Sequence, residues 1–197
     1  MGPEPSGRNE EASSRLETAI AVVVHVPALE AIYRNTDPGF AERSTIWLPY
    51  MLGIPPHVTL LYPFVPAEEL ESALPVLQAV FLHQERFTFE LSRLSTFPRT
   101  IWLAPEPAAP FVALTETIAA AFPEYPHFGG AFKEVIPHLT LADDLEAAEL
   151  NRTLARLRTK VEPLLPMKVA ADEATILAKQ PGGHWVAAAR LPLGGAG

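Results

Sequence analysis

Apolar and polar positions change period several times along the chain, and the changes mark its elements. Phe87, Phe89 and Leu91 alternate with Thr88, Glu90 and Ser92, the period of a strand with one buried face. Residues 87–97 and 100–104 read as two strands around Pro98-Arg99. Leu70, Leu74, Leu77 and Phe81 fall at helical spacing, as do Phe111, Leu114, Ile118 and Phe122. Pro75 interrupts the first of these stripes, so the main helix is expected to begin there, with 66–73 a separate turn. A third helix is expected over 145–161, with a stripe of Leu150, Leu154, Leu157 and Val161. Its acidic start (Asp144, Glu146, Glu149) and basic end (Arg156, Arg158, Lys160) suit the helix dipole.

Residues 18–26 form an apolar strand with His25 near its end, followed by a short helix over 27–33 that opens on Pro27. Residues 35–50 are mixed, with the turn signal Asp37-Pro38-Gly39, and suit a loop over a site. The proline-rich 104–110 marks the expected lobe crossover. Residues 123–134 form an aromatic loop. Residues 167–178 and 185–193 are expected to pair as a final hairpin around Gln180-Pro181-Gly182-Gly183.

Two of the strands are nearly one text. Pro56-His57-Val58-Thr59-Leu60 and Pro137-His138-Leu139-Thr140-Leu141 both read Pro-His-apolar-Thr-Leu. Side chains two apart on a strand share a face. Each stretch therefore presents an imidazole and a hydroxyl on one face, with Val58 and Leu60, or Leu139 and Leu141, turned toward a core. After each motif strand come a helix and two strands. This repeated order predicts an α+β duplication with antiparallel sheets, two half-domains sharing one site.

Composition narrows the picture. The 197 residues, 48% hydrophobic, suit one domain or two small lobes on one core. Residues 1–15 carry little that is apolar and are expected to be a disordered tail, with 16–193 the folded bilobal domain and 194–197 a second tail. The absence of cysteine removes disulfides, thiolate metal sites and a thiol nucleophile. A net charge of −8 argues against broad attraction to nucleic-acid backbone, though not against a local phosphate pocket. No apolar run is long enough for a membrane helix and no secretory signal is visible, so the expected location is the cytoplasm.

Two histidines facing each other across a cleft suit in-line substitution at phosphorus. One neutral imidazole takes a proton from the attacking hydroxyl or water, and the other, protonated, supplies one to the leaving oxygen. The threonine hydroxyls can donate to the non-bridging oxygens. A single His-x-Thr is weak, because strand histidines are commonly structural. The pair is stronger: of six histidines, two share a five-residue context at equivalent places in a repeat. Of the other histidines, His83 reads as a helix C-terminal cation, His184 as exposed, and His25, before Pro27 at a strand end, as structural, with an approach to the cleft as the alternative. His127 is the most plausible additional site residue. Tyr125 and Phe128 either stack on a nucleobase or cap their loop against the sheet. Lys133 and Arg99 are candidates for phosphate charge. Tyr62, Trp102 and Trp185 are expected in the core.

With the paired motifs in place, the chain resembles the two-histidine (2H) phosphoesterase superfamily. The stretches Pro56-His57-Val58-Thr59-Leu60-Leu61-Tyr62-Pro63-Phe64 and Phe128-Gly129-Gly130-Ala131-Phe132 are similar to bacterial proteins of the 2′-5′ RNA ligase family. The resemblance runs over residues 18–193. It implies a bilobal, pseudo-twofold α+β fold with two antiparallel sheets lining a central groove and helices outside. It implies hydrolysis of 2′,3′-cyclic phosphodiesters of nucleotides or RNA ends, and in some members reversible 2′-5′ RNA ligation, without cofactor or metal. The family's catalytic histidines carry over to His57 and His138, and its phosphate-binding hydroxyls to Thr59 and Thr140. Family analogy makes His57 the general acid and His138 the general base. Tyr125, His127, Phe128 and Lys133 remain candidate substrate contacts from the residues alone. The expected partner is a small nucleotide or RNA terminus with a cyclic phosphate, with no obligate protein partner. Two other readings stay open: a non-catalytic nucleotide or RNA-end binding module, and a metal site built from His57, His138 and a carboxylate such as Asp143.

Overall fold

The computed structural model describes residues 19–31 and 52–194. The expected tail over 1–15, the loop over 35–50 and the last residues, 195–197, lie outside the described residues. In chain order the elements are β1 (Ile20–His25), β2 (His57–Leu61), α1 (Leu70–Leu82), β3 (Phe87–Thr96), β4 (Ile101–Glu106), α2 (Ala109–Ala121), β5 (Leu139–Ala142), α3 (Ala147–Val161), β6 (Met167–Ala171), β7 (Glu173–Lys179) and β8 (Trp185–Pro192). Short 3-10 turns sit at Pro27–Leu29, Ala67–Glu69, His127–Gly130 and Glu162–Leu164.

The strands form two four-stranded sheets, ordered β2-β1-β7-β8 and β5-β4-β3-β6, and every pairing is antiparallel. The unit β1-β2-α1-β3 maps onto β4-β5-α3-β7. In each unit the motif strand pairs with the strand before it and forms a sheet edge. In the first, the strand after the helix, β3, crosses to the other sheet and joins β4; in the second, β6 follows the helix and stays beside β3, and β7 then crosses to join β1. The fold is therefore an α+β duplication whose two halves exchange strands. One apolar core gathers residues of both sheets and the helices, including Val22, Leu60, Phe89, Leu103, Phe111 and Ile176.

The local expectations fare unevenly. The stripes of α2 and α3 are buried as their periodicity requires, at Phe111, Leu114 and Ile118 and at Leu157 and Val161. Helix α1, by contrast, begins at Leu70 and runs through Pro75. Pro75 is exposed, so the carbonyl left without its helical partner faces water, while Ala73, Leu77 and Phe81 pin the other side to the core. Strand β4 continues through Pro105 to Glu106, so the turn to α2 is only Pro107-Ala108. The final hairpin is β7–β8 alone. The run over 167–178 is broken at Asp172, where the chain leaves one sheet for the other. Only Asp172 marks that break: β6 buries alternate residues, Val169 and Ala171, while β7 is buried along most of its length.

Helix α2 also fixes the first motif strand. The buried Thr115 hydroxyl donates to the Leu60 carbonyl at 2.9 Å. The Phe128 N–H reaches the Tyr62 carbonyl at 2.9 Å. An edge strand exposes carbonyls with no neighbour in the sheet, and these two donors cover part of that edge.

Candidate functional site

The two motif strands are edge strands of different sheets, and β2 packs beside β5. Val58 and Leu60, and Leu139 and Leu141, are buried in the shared core. The alternation of a strand then turns His57 with Thr59, and His138 with Thr140, to the opposite face. His57, Thr59 and His138 are half-buried and Thr140 is exposed.

The two imidazoles are held alike. His57 Nδ1 lies 2.7 Å from the Pro55 carbonyl, and His138 Nδ1 lies 2.7 Å from the Ile136 carbonyl. A carbonyl only accepts, so each Nδ1–H donates and each Nε2 is left on the far side of its ring for proton transfer. The proline before each histidine has no N–H, and the chain bends so that the carbonyl two residues back reaches the ring. The repeated Pro-His thus has a structural counterpart.

Burial is the largest influence on both rings and lowers the tendency of each to hold a proton below that of an ordinary histidine. The Pro55 and Ile136 carbonyls oppose this. The remaining influences differ in sign. His57 is pushed further down by the positive charge of His138 and of His25, whereas the carboxylate of Asp143 pulls His138 upward. His127 is also lowered, first by burial and then by His138.

These shifts have a consequence for stability. A histidine whose folded value lies below its unfolded value, about 6.5, binds more protons unfolded. Stability therefore rises with pH through this range. It is fully present above about 6.5 and is lost as pH falls through the folded values. Thermal unfolding followed from pH 7.5 to 5 is expected to show a falling Tm, and His57→Gln with His138→Gln to flatten the decline. An unchanged slope in that double variant would count against burial of these rings as the cause.

Two further histidines stand at the site. His25 is the cross-strand partner of His57, so the two rings share a face of the β1–β2 pair. Its Nε2 lies 3.0 Å from Glu30 Oε1. His127, in the 3-10 turn before β5, faces His138 electrostatically and packs edge-to-face on Phe128 at 4.4 Å between ring centroids. That turn carries φ of 47° at Phe128, 61° at Gly129 and 78° at Gly130. A left-handed run of this kind is easy for glycine and strained for phenylalanine. It is closed by the bond from Phe128 N to Tyr62 O.

His25 was read as structural at a strand end, with an approach to the cleft as the alternative, and the structure sets it opposite His57. Its period-two relation to Ala21 and Val23 was the available signal, but β1 is apolar on both faces and hides the alternation. Trp102, expected in the core, is buried yet lies opposite Thr140 in the β4–β5 register, on the histidine face. Its ring stands 5.9 Å from that of His138, and Phe97 stands 5.2 Å from His138 while stacking on Trp102 at 4.9 Å. Tyr62 was expected among Val58 and Leu60. A bulge between Val22 and Val23 shifts the register so that Leu61 enters the main core, and Tyr62 packs with Trp185, Val23 and Leu177 on the other face.

The remaining candidates lie elsewhere. Tyr125 packs on Phe64 and donates its hydroxyl to Glu69 Oε2 at 2.8 Å, the loop-capping arrangement. Arg99 is tied to Asp144 and Glu146. Lys133 is exposed between the 3-10 turn and β5. His83 caps the end of α1 and His184 is exposed. Among the described residues, no three histidine, cysteine, aspartate or glutamate side chains are grouped to hold a metal ion. The His57–His138–Asp143 alternative therefore lacks a ligand set. Asp143 instead accepts from the Thr100 hydroxyl at 2.6 Å. No helix among the described residues is long and apolar enough to cross a membrane.

The model of the 2′-5′ RNA ligase superfamily matches residues 45–183, a span that contains both motif strands. The chain belongs to the 2′-5′ RNA ligase superfamily. Among superfamily relatives, a protein of Bacillus cytotoxicus assigned as a candidate phosphoesterase is 32% identical over 120 residues. A Bacillus mycoides protein with the same assignment is 30% identical over 118 residues. Each alignment covers 57% of this chain and 65% of the relative, so the match spans just under two thirds of those proteins. In fold the chain is similar to TT0787 of Thermus thermophilus, with a TM-score of 0.61 and 19% identity over 91% of this chain and all of that one. It is also similar to Escherichia coli LigT in complex with 3′-AMP, with a TM-score of 0.56 and 20% identity over 89% of this chain and 98% of that one. Structures of LigT with NADP+ and with ATP are similar to the same degree.

Proposed function

We propose that this member of the superfamily hydrolyses 2′,3′-cyclic phosphodiesters of nucleotides or RNA ends without a metal, using His57 and His138 as an acid/base pair. The observation that carries the reading is the matched placement of the two rings. They stand on adjoining sheet edges, each with Nδ1–H bound to a carbonyl and Nε2 left for chemistry.

In-line attack on a cyclic phosphate needs a base on the entering water and an acid on the leaving oxygen, on opposite sides of phosphorus. One neutral Nε2 takes the proton of the water as the new P–O bond forms. The other Nε2–H supplies a proton as the ring P–O bond breaks. Thr59 and Thr140 donate in this reading to the non-bridging oxygens, where negative charge builds in the transition state. Trp102 Nε1, Thr175 Oγ1 and His127 Nδ1 are buried polar atoms without a hydrogen-bond partner among the described residues. Such atoms are costly unless something supplies a partner, which fits a polar ligand in the groove. Similar folds hold 3′-AMP, NADP+ and ATP in LigT, which supports a nucleotide as that ligand. The same groups would make a 2′-5′ linkage when the 5′-hydroxyl of a second RNA end attacks phosphorus in place of water, one imidazole taking its proton and the other protonating the departing 3′-oxygen. The cytoplasm remains the proposed location.

Chelator-treated protein incubated with each 2′,3′-cyclic nucleotide is expected to release a single regioisomer, either the 2′- or the 3′-phosphate. Tight binding of the cyclic nucleotide with no product would replace the enzyme by the nucleotide-binding module. Dependence on added metal would overturn the mechanism.

A further inference from the structure

We propose that Phe97, backed by Trp102, is the shelf on which the nucleobase of the substrate stacks, a base subsite beside His138 on one wall of the groove. The nature of the ligand rests on the proposed cyclic phosphodiesterase reading.

Phe97 follows directly on β3 and opens a tight turn to β4. The turn is closed from both sides, by Phe97 N–H to the Thr100 carbonyl at 2.9 Å and Thr100 N–H to the Phe97 carbonyl at 3.4 Å. It is also braced from the loop after β5. Arg99 meets Asp144 at 2.6 Å and Glu146 at 2.7 Å, and the Thr100 hydroxyl donates to Asp143 at 2.6 Å. Asp144 takes a left-handed φ of 58° there, a conformation that aspartate visits more readily than most residues. The exposed ion pairs alone contribute little. The Leu145 N–H, however, donates to the Arg99 carbonyl at 3.0 Å, and Leu145 is buried in the core. The turn that carries Phe97 is thereby tied to the motif strand that carries His138.

What the braced turn presents is aromatic. Ile101 and Leu103 enter the core, so Trp102 between them lies on the opposite face of β4. Phe97 stacks on it, with centroids 4.9 Å apart and planes 27° apart, and both rings meet His138 edge-to-face, Phe97 at 5.2 Å. Trp102 is buried and Phe97 only half-buried, so Phe97 is the open side of the stack. A nucleobase stands one ribose away from its cyclic phosphate. With phosphorus at His138, the base therefore comes within reach of the Phe97 ring. Trp102 Nε1 beneath is a buried donor without a partner, and a base ring nitrogen or ribose hydroxyl is an acceptor of the kind it lacks. The duplication offers a comparison. Trp102 stands opposite Thr140, whereas the residue opposite Thr59 in the other sheet is Val23. A small aliphatic side chain satisfies the sheet at that place, so the aromatic pair on the His138 wall serves something other than packing. Stacking accepts any base, because every base has a π-face.

The test compares ligands that differ only in the base. Cleavage is followed as kcat/KM on adenosine 2′,3′-cyclic phosphate and on methyl riboside 2′,3′-cyclic phosphate, which has a methoxy group in place of adenine. Binding without turnover is followed by calorimetry with adenosine 3′-phosphate and methyl riboside 3′-phosphate. The whole protein is expected to prefer the adenosine member of each pair by about 5–150-fold, the usual effect of one base stacked on an aromatic ring. Phe97→Leu keeps apolar bulk against Trp102 and His138 and should bring both ratios toward one, while Phe97→Tyr should restore them. Absence of a preference in the unaltered protein, or a preference that survives in folded Phe97→Leu, would overturn the proposal. So would an equal loss on both members of a pair, which would mean that Phe97 acts only by seating His138. A base preference in binding that Phe97→Leu removes, with no cleavage of either cyclic phosphate, would keep the shelf and remove the hydrolysis. Cleavage of both cyclic phosphates at equal kcat/KM would keep the hydrolysis and remove the shelf.

Discussion

Alanine at His138, or at His57, is expected to lower kcat on a 2′,3′-cyclic nucleotide by about 10²–10⁴-fold, the usual worth of one positioned acid or base. Each ring is locked to the carbonyl just before its own motif, which fixes where its Nε2 stands. His25 and His127 stand close by, but His25 is engaged by Glu30 and His127 sits in a different segment of backbone. The two deletions should not be additive. Once one proton can no longer be moved in concert, the second group has little left to assist, and the double variant should be only slightly slower than either single one. Substrate affinity should change less than kcat, because Thr59 and Thr140 remain. Single-turnover rates with a thermal-unfolding control separate these effects. Near-normal turnover in either folded variant would remove the proposed mechanism.

Alanine at Phe111 is expected to destabilise the protein by about 3–5 kcal/mol, the range for truncating a buried phenylalanine. Its side chain is fully buried. The ring meets Phe87 and Phe89 edge-to-face, with centroids 5.1 and 4.9 Å apart. Phe87 and Phe89 belong to β3 and Phe111 to α2, so the cluster seats the helix on the sheet opposite to the one it also supports. The same helix carries Thr115, whose hydroxyl holds the Leu60 carbonyl inside the first motif. A loosened α2 should therefore lower activity beyond what the unfolded fraction explains, through the orientation of His57 and Thr59. Urea unfolding monitored by fluorescence gives the stability change, and kcat at a temperature where the variant is fully folded gives the second effect. A loss below about 1 kcal/mol would mean that the cluster is not the seat of the helix.

The sequence alone carried the duplication, the strand character of both motifs, the faces of α2 and α3, and the candidate quartet His57, Thr59, His138 and Thr140. All of these rest on periods of two or three to four residues, or on a repeated text, which are properties of neighbouring positions. The continuation of α1 through Pro75 and the break at Asp172 were not legible. In both places the outcome is set by what the chain packs against: solvent on one side of Pro75, and two different sheets on either side of Asp172. The companions of the histidines were hidden for the same reason. His25 comes to His57 by register, Trp102 comes to His138 across a sheet, and Tyr62 changes face at a bulge. Strand pairing between distant segments decides all three, and a local pattern records which face a residue takes but not which residue stands opposite. The candidate pair of motif histidines was written into the chain, while the charges that distinguish one from the other were assembled only by the fold.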